Sequence, residues 1–227
     1  MGTYSVKDKL KVDVESSDSL PARIAAGLAE QIIRGNLRPG DRVRQDTVAS
    51  DFNASHVPVR EAFRRLEARG LLISRERKGV YVPLLDQASI IEIMRMRAAL
   101  EVLALRYAIP NLTEHDVALA ENALTQAEHC DDITTWEEAN RDFHSILYRP
   151  CGMARLLSNI DGLHEARLRY MYATATVIDW NAKSEEEHLG IMGAIKRRDI
   201  ASACAFLERH INDAGDILVA AVGTLQG

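Results

Sequence analysis

Residues 48–71 read Val48-Ala49-Ser50-Asp51-Phe52-Asn53-Ala54-Ser55-His56-Val57-Pro58-Val59-Arg60-Glu61-Ala62-Phe63-Arg64-Arg65-Leu66-Glu67-Ala68-Arg69-Gly70-Leu71, and this stretch decides the architecture of the N-terminal part of the chain. A short helix from Gln45 to Phe52 turns Val48, Ala49 and Phe52 inward, and the break at Asn53-Ala54 lasts only a few residues. A second helix follows at once. Ser55 stands where its hydroxyl can accept from the first free amides, and Pro58 is tolerated within the first turn. Val59, Ala62, Phe63 and Leu66 form the buried stripe, and Gly70 closes the helix. Opposite that stripe His56, Arg60 and Arg64 stand four residues apart and form one polar row.

Upstream, a helix is expected from Leu20, with Ser19 as cap, Pro21 in its first turn, and Ile24, Leu28 and Ile32 on one face. It ends before Gly35, and Arg38-Pro39-Gly40-Asp41 reads as a tight turn. Downstream the period changes: Leu71-Leu72-Ile73-Ser74 and Val80-Tyr81-Val82 are β-prone runs around Arg75-Glu76-Arg77-Lys78-Gly79, a hairpin with a basic tip. Short helix, turn, second helix and basic hairpin predict a winged helix-turn-helix whose second helix enters the major groove of DNA. The expected DNA-facing set is Arg44, Ser55, His56, Arg60, Arg64, Lys78 and Gly79. Arginine suits base reading because its planar fork pairs with guanine O6 and N7, Ser55 can donate to a phosphate, and Gly79 lets the wing approach closely. Taken singly, each arginine reads rather as a solvated charge on an amphipathic helix; the whole arrangement favours DNA.

Charge is divided in the same sense. The chain has 227 residues and a formal net charge of −5, yet residues 20–84 hold 12 Lys and Arg against 7 Asp and Glu, while residues 85–227 hold 13 against 22. A basic module joined to an acidic one suits a protein that brings one half to phosphates and keeps the other clear of them. Hydrophobic residues make up 47% and charged residues 27%, which excludes disorder of the whole chain. No apolar run is long enough for a membrane span and no signal pattern opens the chain, so a cytoplasmic protein is expected. Cys130, Cys151 and Cys204 lie far apart, which fits a reducing compartment better than a disulfide framework.

The expected domains are a flexible leader at 1–19, the winged helix-turn-helix at 20–83 and an all-helical domain at 84–227. The last should hold six helices, near Gln87–Ile109, Thr113–Cys130, Ile133–Tyr148, Met153–Thr176, Asn181–Arg198 and Ile200–Val222, with breaks at Pro110, Pro150-Cys151-Gly152 and Asp179. The fold class is therefore mainly α: a winged helix-turn-helix followed by a six-helix bundle.

Residues 48–71 closely resemble the signature of the GntR family of bacterial transcription regulators, whose usual SRTPVREALRRLE stands here as Ser55 to Glu67 with His56 in place of a common Arg and Val57 in place of Thr. Beyond Pro83 the chain resembles the FCD effector domain of the FadR subfamily, through Asn140-Arg141-Asp142-Phe143-His144, Glu187-His188 and His210, and its six helices look like the VanR-type branch. The resemblance implies a divalent metal held by a carboxylate, a His four residues later and one His from each of two later helices, with dimerisation through the helical domain. Here Asn140, His144, His188 and His210 take those places, Asn140 standing where the family has Asp. Asn140 and His144 are one turn apart on one face, and three imidazoles with one oxygen suit zinc or nickel. Asp142, about 200° around the helix from that face, should point away. Arg97 is the candidate to clamp an effector carboxylate, with a salt bridge to Glu101 at i+4 an equal alternative.

The function expected is a homodimer that binds a palindromic operator and changes its affinity when a small carboxylate metabolite enters the metal-containing domain. Two rival readings share the same residues: a regulator for which the metal itself is the signal, and, with less support, a metal-dependent hydrolase. The hydrolase has no general base that the sequence identifies and no use for a basic winged module. The protein is therefore expected not to be an enzyme.

Overall fold

The computed structural model describes residues 19–130, 132–175 and 181–226. Residues 1–18 of the expected leader, Thr176 and the break at Asp179 lie outside them. The chain divides between Leu85 and Asp86 into two compact units.

The first unit contains α1 (Leu20–Ile33), β1 (Arg42–Val43), α2 (Gln45–Asp51), α3 (His56–Ala68), β2 (Ile73–Arg75) and β3 (Gly79–Tyr81). Its core joins the apolar faces anticipated from spacing: Ile24, Leu28 and Ile32 of α1, Val48 of α2, Val59, Ala62, Phe63 and Leu66 of α3, closed by Leu71, Leu72 and Val82. Gly27 makes room on α1 for the Phe52 ring, since a Cβ there would lie 3.0 Å from it. The strands form an antiparallel sheet in the order β1-β3-β2, with Arg42 opposite Tyr81 and Arg75 opposite Gly79. The hairpin was anticipated. The third strand was not, because two residues are too short for a period to show.

Among the described residues the second unit contains α4 (Gln87–Ala108), α5 (Glu114–Glu128), α6 (Ile133–Tyr148), α7 (Ala154–Thr174), α8 (Asn181–Lys196) and α9 (Ile200–Gln226), with single 3-10 turns at Ile109–Asn111 and Arg149–Cys151. These are the six helices expected, and α9 runs beyond the expected end at Val222. The starts of α4, α5 and α6 are capped by short polar residues: Asp86 accepts from Ser89 N, Thr113 and Asp116 form a reciprocal capping box, and Asp132 accepts from Thr134 N and Thr135 N. At the far end of α4, Arg198 donates to the carbonyls of Ile109 and Leu112, which the helix leaves unpaired. Gly215 lets α9 press against Met94 of α4, where a Cβ would come within 3.1 Å. Along α6 the buried residues are Trp136, Glu137, Ala139, Asn140, Phe143, His144, Leu147 and Tyr148. The inward stripe of this helix thus carries four polar side chains one turn apart or nearly so, and that sets the position of the site.

Candidate metal centre and DNA-reading face

In the second unit, three helices bring imidazoles to one point: His144 on α6, His188 on α8 and His210 on α9, all buried, with potential ligand atoms all within 4.8 Å of one another. Ring centroids lie 5.3 Å apart for His144 and His188, 5.5 Å for His144 and His210, and 4.6 Å for His188 and His210. Hydrogen bonds decide which ring nitrogen faces inward. The Tyr148 hydroxyl donates to Glu101 Oε2 at 2.8 Å, so it receives the Nδ1–H of His144 at 2.9 Å and leaves the Nε2 lone pair unused. His210 donates from Nδ1 to Glu187 Oε2 at 2.7 Å, again freeing Nε2. A carboxylate or hydroxyl behind a histidine in this way orients the ring as metal ligands require.

The residues present fit a divalent cation. His144 Nε2 and Asn140 Oδ1 are fully buried and have no hydrogen-bond partner, an arrangement that costs about 1–3 kcal/mol for each group left unsatisfied. One amide oxygen and three imidazole nitrogens match zinc or nickel chemistry. Burial foremost, then His188 and His210, holds His144 well below the ordinary imidazole pKa, and burial with His210 does the same for His188. Both rings are therefore neutral at neutral pH, the form in which they ligate. Asp142 on the same helix is exposed.

Arg97 and Glu101, one turn apart on α4, form a buried ion pair of 2.7 Å, and His164 on α7 sits 3.3 Å from both. Burial raises a carboxyl pKa, but Arg97 and then His164 outweigh it and keep Glu101 well below the usual carboxylate range. Burial foremost, with Glu101, pushes the Tyr148 phenol well above its ordinary value, so it remains a proton donor. The Arg97 pairing with Glu101 is the alternative weighed for it from sequence. A second buried ion pair joins Arg167 on α7 to Glu137 on α6. Sequence reading passed over Tyr148, Glu137 and Arg167. Tyr148 stands four residues after His144, a spacing that could have flagged it, whereas nothing local marks the other two.

In the first unit Arg44, Ser55, His56, Arg60, Arg64 and Lys78 are all exposed, and Gly79 is half-buried. Ser55 precedes α3 without a side-chain bond to it, so the capping role expected for its hydroxyl is not seen. Arg65 pairs instead with Glu61 on its own helix at 3.3 Å. His56 Nε2 lies 3.7 Å from Asp46 of α2. Gly79 has φ +105, and a Cβ there would meet the Arg42 guanidinium at 3.1 Å. Its glycine is thus required by the wing's own geometry. Arg42, exposed beside the wing, was not singled out from sequence, and Val57, the residue in place of the family's Thr, is 75% exposed at the start of α3.

Residues 20–82 match the family described as bacterial regulatory proteins, gntR family, and residues 92–213, more than half of the chain, match the FCD domain. The chain belongs to the GntR family. It is 32% identical over 196 residues to the uncharacterized HTH-type transcriptional regulator YdhC of Bacillus subtilis, covering 82% of this chain and 84% of that one. To the Nta operon transcriptional regulator of Aminobacter aminovorans it is 28% identical over 180 residues, covering 78% and 83%. The solved structure of McbR/YncC from Escherichia coli superposes with a TM-score of 0.74 at 26% identity, covering 88% of this chain and 97% of that one. This GntR-family chain, with its winged helix-turn-helix and its FadR-like FCD domain, is a transcriptional regulator and not an enzyme. No helix among its described residues is long and apolar enough to cross a membrane.

Proposed function

We propose that this regulator binds a palindromic operator as a homodimer in the cytoplasm, and that a small carboxylate metabolite, taken up beside a zinc or nickel ion in the FCD domain, changes its affinity for that operator. The observation that carries the reading is the convergence of His144, His188 and His210, with Asn140 one turn before His144 on α6 and the Asn140 Oδ1 and His144 Nε2 atoms both buried without partners. Asn140, His144, His188 and His210 would hold the ion. When bound, the ion supplies a Lewis-acidic point for a carboxylate oxygen. Since Asn140 carries no charge, the ligand set leaves the full charge of the ion in a buried site, which weakens retention of the metal but strengthens attraction for an anion. Arg97 is the nearby guanidinium for the rest of the carboxylate, and Glu101 and His164 hold it in place meanwhile.

On the DNA side, Arg60 and Arg64 read base edges or phosphates from α3, and Arg44, Ser55, His56, Lys78 and Gly79 position the module on the backbone. Dimerisation is supported by an apolar row on the outside of α4, where Met96, Leu103 and Tyr107 are 46%, 39% and 52% exposed at helical spacing. A second reading, in which the metal itself is the signal, uses the same ligands. Operator binding measured with metal-loaded and chelated protein, with and without added carboxylates, separates the two. Control by carboxylate only in the loaded protein supports the metabolite sensor. Control by metal alone replaces it with the metal sensor, and stoichiometric failure to bind zinc or nickel sinks both.

A further inference from the structure

The three histidines and Asn140 do not use up the buried polar atoms of this domain. Glu137 Oε2, Arg167 Nε and His164 Nδ1 are also buried without hydrogen-bond partners, on side chains that are 3%, 4% and 4% exposed. They form one band. Glu137 lies three residues before Asn140 and seven before His144 on the inward stripe of α6, while His164 lies three before Arg167 on α7. The Glu137–Arg167 ion pair joins the two helices at one end of the band, and His144 and His164, with ring centroids 6.2 Å apart, join them at the other. Asn140 stands between. Each unsatisfied group costs about 1–3 kcal/mol, and three of them gathered in one band beside the histidines mark a place where a bound molecule can supply the partners.

Their chemistry specifies that partner. A carboxylate acid needs only the metal point and guanidinium N–H donors such as Arg97 and the Nε–H of Arg167. Glu137 Oε2 is different: ionised and paired to Arg167, it can only accept, and a plain carboxylate or hydrocarbon chain has nothing to donate to it. Resting on the carboxylate-sensor reading, we infer that Glu137 and Arg167 form a specificity subsite for an effector bearing a hydroxyl or ammonium group near its carboxylate, which donates to Glu137 Oε2. An unsubstituted acid leaves that oxygen buried and unpaired, and sites built to receive a hydrogen bond reject ligands that lack it far more strongly than apolar pockets reject a missing methylene.

The test is calorimetric titration of the zinc-loaded full-length protein with acids of two to six carbons, each unsubstituted acid compared with its 2-hydroxy and 2-amino partners. At least one substituted acid binds tenfold or more tighter than its parent. The double variant Glu137→Leu/Arg167→Met removes both charges together and so avoids leaving one buried and unpaired; in it the preference falls below about threefold while zinc content stays unchanged. Glu137→Gln, which keeps the shape and loses the charge, weakens the ammonium partner more than the hydroxyl one. Equal binding of parent and substituted acids to the wild type overturns this inference and leaves the carboxylate sensor standing. Binding of none of the panel by zinc-loaded protein overturns both.

Discussion

Tyr148 is a residue whose importance lies in one hydrogen atom. By donating to Glu101 it becomes an acceptor for His144 Nδ1 and thereby turns the imidazole's other nitrogen toward His188 and His210. Tyr148→Phe keeps the ring in the core but removes that acceptor, and zinc affinity is expected to fall by roughly 10- to 100-fold with little change in fold, measured by competition with a chromogenic chelator. Asn140→Asp restores a charge to the ligand set and should tighten zinc in the same assay; looser binding would remove residue 140 from the site. On the other unit, Arg60→Ala should weaken operator binding by roughly 1–3 kcal/mol if Arg60 reads a base edge. Unchanged affinity in an electrophoretic or fluorescence titration would take it out of the interface.

Helices carry these side chains to their places, and the starts of α4, α5 and α6 are fixed by short polar residues. Asp132 holds the start of α6 through Thr134 N at 2.9 Å, Thr135 N at 3.0 Å and the Thr135 hydroxyl at 2.6 Å. Asp132→Ala should cost about 0.5–2 kcal/mol of stability and, because α6 presents Glu137, Asn140, His144 and Tyr148, should also reduce zinc retention; melting curves with and without zinc test both. Asp86, Asp116 and Asp199 are held below the usual carboxylate range chiefly by hydrogen bonds from Ser89, Thr113 and Ser202. Their native pKa lies below the unfolded one, so their stabilisation is complete above about pH 5 and is lost as pH falls through the unfolded value near 3.9 toward the native one. Acid unfolding of the wild type should therefore steepen below about pH 4, and Asp116→Asn should flatten that part of the curve.

For the molecule as a whole, the proposed sensing requires coupling between the two units, and coupling is reciprocal. If an effector changes operator affinity by a given factor, operator DNA must change effector affinity by the same factor, and titrations run in both directions check this. Leu103→Glu on the outer face of α4 should shift the protein toward monomer in sedimentation and weaken operator binding without loss of zinc; an unchanged dimer would place the interface elsewhere. The winged helix-turn-helix and the six helices were legible along the chain because each depends on local chemistry: apolar spacing at Val59, Ala62, Phe63 and Leu66, turn residues at Pro39-Gly40, and capping residues such as Thr113 and Asp132. His144, His188 and His210 could be named as a set only through resemblance, since sequence separation says nothing of distance across a bundle. The wing's third strand, the partner of Tyr148, and the Glu137–Arg167 pair were decided by tertiary structure alone. Each joins residues 30 or more apart in the chain, and a buried charge can be recognised as paired or orphaned only when the helices around it are packed.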